Sequence, residues 1–264
     1  MSIIIHKAED FAKMRQAGRL AAQTLDYITP HVKIGVSTDK LNELCHNFIT
    51  KHQAIPAPLN YRGFPKSICT SINHVICHGI PSDKILKNGD IINIDVTVIL
   101  DGWHGDTSRM YFVGEPSIKA KRLVEVTYKA MMLGIKEVKE GATTGDIGFA
   151  IQNYAESCGY SVVRDYCGHG IGKLFHTEPN IMHFGNKGEG ITLKEGMFFT
   201  IEPMINIGKA ATKLLNDDWT VVTRDRSLSA QFEHTLAVTK NGYEIFTKSP
   251  LNLDKPPYNT NSHL

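Results

Sequence analysis

Apolar positions recur along this chain in two rhythms. Between Glu9 and Ile28, the residues Met14, Ala17, Ala21, Leu25 and Ile28 fall three, four or seven apart, which predicts one core-facing helix that stops near Pro30. The same period carries "GVSTDKLNELCHNFITKHQ" (Gly35–Gln53), where Ser37 and Thr38 offer N-caps, and "GATTGDIGFAIQNYAESCG" (Gly141–Gly159). Elsewhere the pattern changes to β-branched runs. Ile91 to Leu100 reads as a strand, Asp101-Gly102 as a two-residue turn and Trp103 to Val113 as the return strand.

The two helical stretches both open Gly-x-[Ser/Thr]-Thr, 106 residues apart. A second echo lies behind them: "LKNGDIINID" (Leu86–Asp95) matches "LKEGMFFTIE" (Leu193–Glu202) at an offset of 107. Two segments repeated in order at nearly one offset indicate an internal duplication, each half a helix followed by a strand ending in a carboxylate. Residues 1–248 are thus expected to form a single α+β domain of two pseudo-symmetric halves, about 30–115 and 135–246, with 249–264 as a C-terminal tail. Two sheets stacked about a local two-fold would bring Asp95 and Glu202 together in a cleft.

The hairpin carries an anomaly, because Asp95 and Asp106 interrupt strands otherwise suited to the middle of a sheet. If Leu100 faces Trp103, Asp95 faces Ser108 and Thr97 faces Asp106, so both aspartates share one face about 7–8 Å apart at the backbone. Carboxylates so placed resist burial and need an Arg or Lys, a shared proton or a metal.

Bulk properties narrow the alternatives. A chain of 264 residues, 42% hydrophobic and 21% charged, is long enough for a full core, and a net charge of +2 gives no reason to expect nucleic acid. Five cysteines, an odd number with no C-x-x-C pair, fit neither a zinc ribbon nor a disulfide framework, which points to a reducing cytoplasm. No apolar run approaches membrane-spanning length.

Further carboxylates and imidazoles stand in strand-like or glycine-rich contexts. Glu202 ends the second echo, Glu233 lies in "SAQFEHTLAV", and His169 lies between Gly168 and Gly170 in "YCGHGIGKLFHTEP", where the glycines would let the backbone approach a ligand. "CGHGIGK" fits neither phosphate-loop pattern. Two Asp, two Glu and one His form a hard-oxygen, one-imidazole set suited to a pair of divalent ions such as Mn, Fe, Co or Zn.

Those five residues, with "YRGFPKSICTSINHVICHGIP", "NIDVTVILDGWHGDTSRM", "GHGIGKLFHTEP", "FFTIEPMI" and "SAQFEHTLAVT", resemble the methionine aminopeptidases from about Ile4 to Phe246, in their short bacterial type I form. The resemblance implies the duplicated "pita-bread" fold and metal ligation by Asp95, Asp106, His169, Glu202 and Glu233. Asp106 and Glu233 would bridge two ions (Co, Mn, Fe, Zn or Ni), with Asp95 on one and His169 and Glu202 on the other. Ions so held lower the pKa of a bound water to about 7. Glu202 would be the general base, His78 would serve the leaving nitrogen and His176 the developing oxyanion. Tyr61, Phe64, Cys69, Phe175 and Trp219 would line the methionine pocket, which suits a polarisable thioether. Pro58 and Phe64 depart from the family, where many bacterial members have Cys and Tyr. Asn73, Val75 and Ser229 match positions that hold a monovalent cation, Na or K, through backbone oxygens.

The implied activity is removal of the initiator methionine from nascent chains with a small second residue, in the cytoplasm and at the ribosome, by a monomer with no specific nucleic-acid or membrane partner. Two rivals share the fold. An X-Pro aminopeptidase or prolidase would usually carry an added N-terminal domain, and a non-catalytic binding protein would be free to lose ligands that are all present here.

Overall fold

In the computed structural model, which describes residues 3–258, the chain runs through α1 (Ala8–Ile28), a 3-10 turn (Thr29–His31), α2 (Thr38–Lys51), β1 (Ile55–Pro56) and a second turn (Tyr61–Gly63). Next come β2 (Cys69–Ile72), β3 (Val75–Cys77), β4 (Ile91–Leu100), β5 (Trp103–Phe112), α3 (Ile118–Lys136) and α4 (Thr144–Ser157). The remainder is β6 (Ser161–Val162), β7 (Gly168–Gly170), β8 (Thr177–Ile181), β9 (Phe198–Ile201), β10 (Met204–Asn206), β11 (Thr212–Leu214), β12 (Val221–Thr223), β13 (Ser229–Gln231), β14 (Glu233–Thr239) and β15 (Gly242–Ile245).

The helices form where the apolar period placed them. Ser37 caps α2 by accepting the N–H of Lys40, and Thr143 caps α4 by accepting that of Asp146, so the shared Gly-x-[Ser/Thr]-Thr sequence does the same work twice. The duplication extends to the backbone. Gly35 donates to the carbonyl of Leu86 and Gly141 to that of Leu193, while Leu86 donates back to Val36 and Leu193 to Ala142. Isolated bridges join Ser37 to Ile85 and Thr143 to Thr192. Each half has its own apolar core, α1 and α2 over Ile92, Ile94, Val96 and Val98, and α3 and α4 over Phe199, Ile201 and Leu236.

Two sequence expectations need correction. The halves are not two stacked sheets. They join edge to edge in one nine-stranded sheet, ordered β1-β4-β5-β14-β9-β7-β8 with β2 on β4 and β15 on β14, and two three-stranded sheets flank it. The seam is antiparallel, with Glu233 facing Ser108 and His234 facing Thr107. Nor does the first repeat end its strand at the carboxylate: β4 continues five residues past Asp95, whereas Glu202 lies just beyond β9. The hairpin turn demands that extension, because Asp101 and Gly102 supply the positive φ angles (+49° and +79°) that a two-residue loop needs.

Part of the expected tail is also structural. Ser249 donates to Asp26 on α1 (2.8 Å), Leu253 is buried, and the Tyr258 hydroxyl donates to the carbonyl of Met110 on β5 (2.7 Å). Residues 259–264 lie outside the described residues. The Ser249 bond joins a buried ion pair, Arg109 with Asp26 (2.5 Å), and Arg109 also donates to the carbonyl of Ala22 (3.2 Å). Helix α1 can lie this close to β5 because Gly105 has no side chain, and a Cβ there would come within 2.4 Å of the Ala17 backbone. The pair therefore ties helix, hairpin and C-terminal segment together three residues beyond Asp106.

A buried pair broken on one side leaves an uncompensated charge. Arg109→Met is expected to lower unfolding free energy by about 3–5 kcal/mol in urea melts, and Asp26→Leu combined with it should recover part of the loss. Additive losses in the double variant would contradict the pairing.

Candidate metal centre

Strand register assembles the acidic cluster. Across β2, β4, β5 and β14, Cys69 faces Asp95, Asp95 faces Ser108, and Ser108 faces Glu233, so this row of side chains shares one face of the sheet. Two residues along the hairpin, Thr97 faces Asp106 as the turn requires, and its hydroxyl donates to Asp106 Oδ1 (2.7 Å). The Asp106 backbone exchanges hydrogen bonds with the Thr235 hydroxyl on β14, and Thr235 faces Thr200 on β9. The Thr200 hydroxyl accepts the N–H of His169 (3.0 Å) and donates to Glu202 Oε1 (2.8 Å). Five separated segments thus converge through one hydrogen-bonded sheet.

His169 Nε2 lies 3.6 Å from both Asp106 Oδ2 and Glu202 Oε1. Ligand atoms of Asp106, His169 and Glu233 all lie within 4.8 Å of one another, and these three residues are buried. Gly168 and Gly170 serve a different purpose from the expected approach to a ligand. A Cβ at Gly168 would meet the Thr200 carbonyl at 2.3 Å and one at Gly170 the Glu178 carbonyl at 2.1 Å, so the glycines let β7 fit between β9 and β8.

Without a cation the cluster is electrostatically incomplete. Burial, then the charges of Asp106 and Glu202, push the Asp95 carboxyl well above its ordinary range. Burial and its acidic neighbours do the same to Glu233, and Glu202 is pushed up to about 7, first by burial and then by Asp106 against the pull of His169. For His169, burial works to lower the pKa, but hydrogen bonding to Asp106 and the charge of Glu202 raise it overall. Asp95 Oδ1 is buried with no hydrogen-bond partner. Clustered carboxylates, one with an unpaired buried oxygen, beside one imidazole are the donor set of a divalent-cation site, and the residues present fit that group.

Above the cluster opens a cavity of about 390 Å³. Its walls contain every expected pocket residue, Tyr61, Phe64, Cys69, Phe175 and Trp219, and both histidines, His78 and His176. Pro58, Arg62, Cys77, Tyr166 and Met204 join them. Phe64 meets Trp219 edge to face (5.1 Å between ring centres), and Tyr61 lies against Phe175 (4.9 Å). His78 has φ +55°, a strained value that holds its ring toward Tyr166 and Trp219, and burial lowers its pKa. The His176 pKa is lowered to about 3, by burial and then by His169, so both rings are neutral near pH 7. A larger cavity, about 630 Å³, lies by Pro116 and Tyr258 but contains none of the clustered acids.

Asn73, Val75 and Ser229 lie outside the cavity wall. The Asn73 carbonyl accepts the N–H of Ser229 (2.9 Å), which brings two of these three positions together. Sequence reasoning passed over three residues that steady Glu202: Thr200, Gln231 and His183. Gln231 Nε2 lies 3.3 Å from Glu202 Oε2, and His183 Nε2 accepts the backbone N–H of Glu202 (3.1 Å). Thr200 and Gln231 each stand two residues before a cluster carboxylate, so strand alternation could have found them. His183 had no such signal. All five cysteines are free, and no helix among the described residues is long and apolar enough to cross a membrane.

Comparison with known proteins agrees with this geometry. The model of metallopeptidase family M24 matches residues 12–240. A methionine aminopeptidase of Rickettsia prowazekii (strain Madrid E) is 70% identical over 259 residues, covering 98% of this chain and all of the relative. The crystal structure of methionine aminopeptidase from Rickettsia prowazekii superposes with a TM-score of 0.93 at 70% identity, over 93% of this chain and all of that one. A prolidase from Pyrococcus horikoshii shares the fold, with a TM-score of 0.74 at 21% identity, and this chain covers 64% of it. With its pita-bread sheet, its acidic cluster and a likeness running nearly end to end, the chain belongs to the methionine aminopeptidases of metallopeptidase family M24, hydrolases that use divalent metal.

Proposed function

We propose that this hydrolase removes the initiator methionine from nascent polypeptides with a small second residue, as they emerge from the ribosome in the cytoplasm. The observation that carries the reading is an aromatic-walled cavity whose lining also contains the cluster's four carboxylates and its imidazole, with Asp106, His169 and Glu233 buried together. Asp95, Asp106, His169, Glu202 and Glu233 would hold two divalent ions, with Asp106 and Glu233 shared between them. When bound, the ions would supply a water whose pKa is lowered to about 7 and positive charge for the scissile carbonyl.

The protein's own groups do the rest. Phe64 and Trp219, packed edge to face, bound the pocket for the methionine side chain, with Tyr61 and Phe175 as a second ring pair in its wall. Glu202 takes a proton from the attacking water, a role that suits a carboxyl steadied by Thr200, Gln231 and His183. His176 donates its N–H to the developing oxyanion, and His78 relays to the leaving nitrogen the proton that Glu202 took from the water, receiving it on its bare nitrogen as it gives up its own. Because both imidazoles are neutral near pH 7, each has one donor and one acceptor nitrogen.

Metal-stripped protein supplied stepwise with Mn, Fe, Co or Zn is expected to cleave Met-Ala-Ser but neither Met-Leu-Ser nor Ala-Pro-Ala, with activity lost in Asp106→Ala. His176→Ala should cut kcat by about 10²–10³. Preferential cleavage of Ala-Pro-Ala would establish the X-Pro reading instead, and metal binding without any cleavage would establish a binding protein.

The same acids dictate a pH dependence. Asp95, Glu202, Glu233 and His169 hold protons to higher pH in the folded metal-free protein than in an unfolded chain. The folded state then binds more protons, so metal-free stability falls as pH rises from the ordinary carboxylate range through about 7. Burial lowers His183 and His234 to about 3, but in both metal-free and metal-loaded protein, so their contribution cancels in the difference. The gain in thermal midpoint on adding Mn should therefore grow between about pH 5 and pH 8. A gain that shrinks over that range in scanning calorimetry would rule out coupling of these protons to the metal.

A further inference from the structure

The Tyr61 ring belongs to the pocket wall, but its hydroxyl is turned away from any apolar role. The residue sits in a loop closed by backbone hydrogen bonds: the Tyr61 N–H donates to the carbonyl of Pro58 (3.0 Å), that of Asn60 to Phe64 (2.8 Å), and that of Phe64 back to Tyr61 (3.0 Å). Asn60, Arg62 and Gly63 all take positive φ angles (+66°, +48° and +88°), and such left-handed positions at non-glycine residues mark a backbone held for a purpose. The result is a ring that places its phenol oxygen 3.0 Å from Nδ1 of His176, 115 residues away in sequence.

Other contacts on His176 fix only its plane. Its ring stacks on Phe175 (4.0 Å between centres) and lies 4.2 Å from that of His169. Stacking of this kind is blind to a half-turn of the imidazole, which would exchange nitrogen for carbon at both edges. It is equally blind to which nitrogen carries the proton. A neutral imidazole has one N–H and one bare nitrogen, so the hydrogen bond at Nδ1 decides what Nε2 can do. If Nδ1 donated to the phenol, Nε2 would be an acceptor and useless to an oxyanion. If the phenol donates to Nδ1, the proton is held on Nε2.

We infer that Tyr61 is a positioning residue for His176: its hydroxyl donates to Nδ1, blocks the half-turn and keeps the ring proton on Nε2, the nitrogen that reaches the oxyanion. This rests on the reading of His176 as oxyanion donor, and it gives the strained loop a task beyond lining the pocket.

The test is ¹⁵N-edited NMR of the zinc-loaded protein labelled at histidine, with the His176 signals identified by their loss in His176→Asn. The wild-type protein should show a protonated Nε2 and a bare, hydrogen-bonded Nδ1. In Tyr61→Phe, which keeps the ring and the pocket wall, the Nδ1 signal should move toward that of an unbonded or mixed tautomer. The kcat for Met-Ala-Ser should fall roughly three- to tenfold, as for one lost neutral hydrogen bond, with KM held within about twofold. A protonated Nδ1 in the wild-type protein would overturn the inference. So would an unchanged spectrum and kcat in Tyr61→Phe, or a change confined to KM, which marks a pocket wall alone. Because the tautomer is read without substrate, failure to cleave Met-Ala-Ser would count against the proposed function while leaving the positioning role to be decided by the spectrum.

Discussion

Four carboxylates are held at one place on a sheet, with a single imidazole among them, and the rest of the architecture answers to that constraint. Mutual repulsion and desolvation both favour separating such groups or protonating them, as the raised pKa values of Asp95, Glu202 and Glu233 show. Only a rigid scaffold keeps them together, and here the scaffold is the ladder that runs unbroken through β4, β5, β14 and β9. The cost in stability is the driving force for taking up cations, so structural strain and metal affinity are two aspects of one arrangement.

The duplication explains how so demanding a site is assembled from ordinary parts. Each half buries its own core under its own pair of helices, and neither core contains the cluster. The site forms at the β5–β14 seam, where the halves meet and where alternation along each strand directs a carboxylate to the same face. The seam is backed on the other side by the buried Arg109–Asp26 pair, which fixes α1 and the segment after Ser249 against β5. The hairpin is therefore clamped by hydrogen bonds on both flanks and by an ion pair beneath.

Much of this was legible in the sequence because it follows local rules. The Asp101-Gly102 turn dictates the hairpin register, and the register dictates that Asp95 and Asp106 share a face. The repeated Gly-x-[Ser/Thr]-Thr openings and the Leu-Lys-x-Gly echo behind them mark the two halves. What the sequence did not reveal depends on long-range pairing. Nothing local says that β5 joins β14, so the two halves read as two sheets, and nothing in "TSRMYF" says that Arg109 meets Asp26, 83 residues earlier. The acidic residues with their threonine and glutamine neighbours followed strand alternation, whereas His183 and the Tyr61 hydroxyl find their partners only across the folded molecule. The anchors of the C-terminal segment, Ser249 and Tyr258, bond to α1 and β5 rather than to one another, so no local pattern signals them.

The central claim, that the buried acids exist to hold metal at the floor of the cavity, is tested most directly by an anomalous-difference map from crystals of this protein soaked in Mn. The account predicts two peaks, both in contact with Asp106 and Glu233, one also beside Asp95 and the other beside His169 and Glu202. An empty cluster, or manganese bound only elsewhere on the molecule, would contradict it.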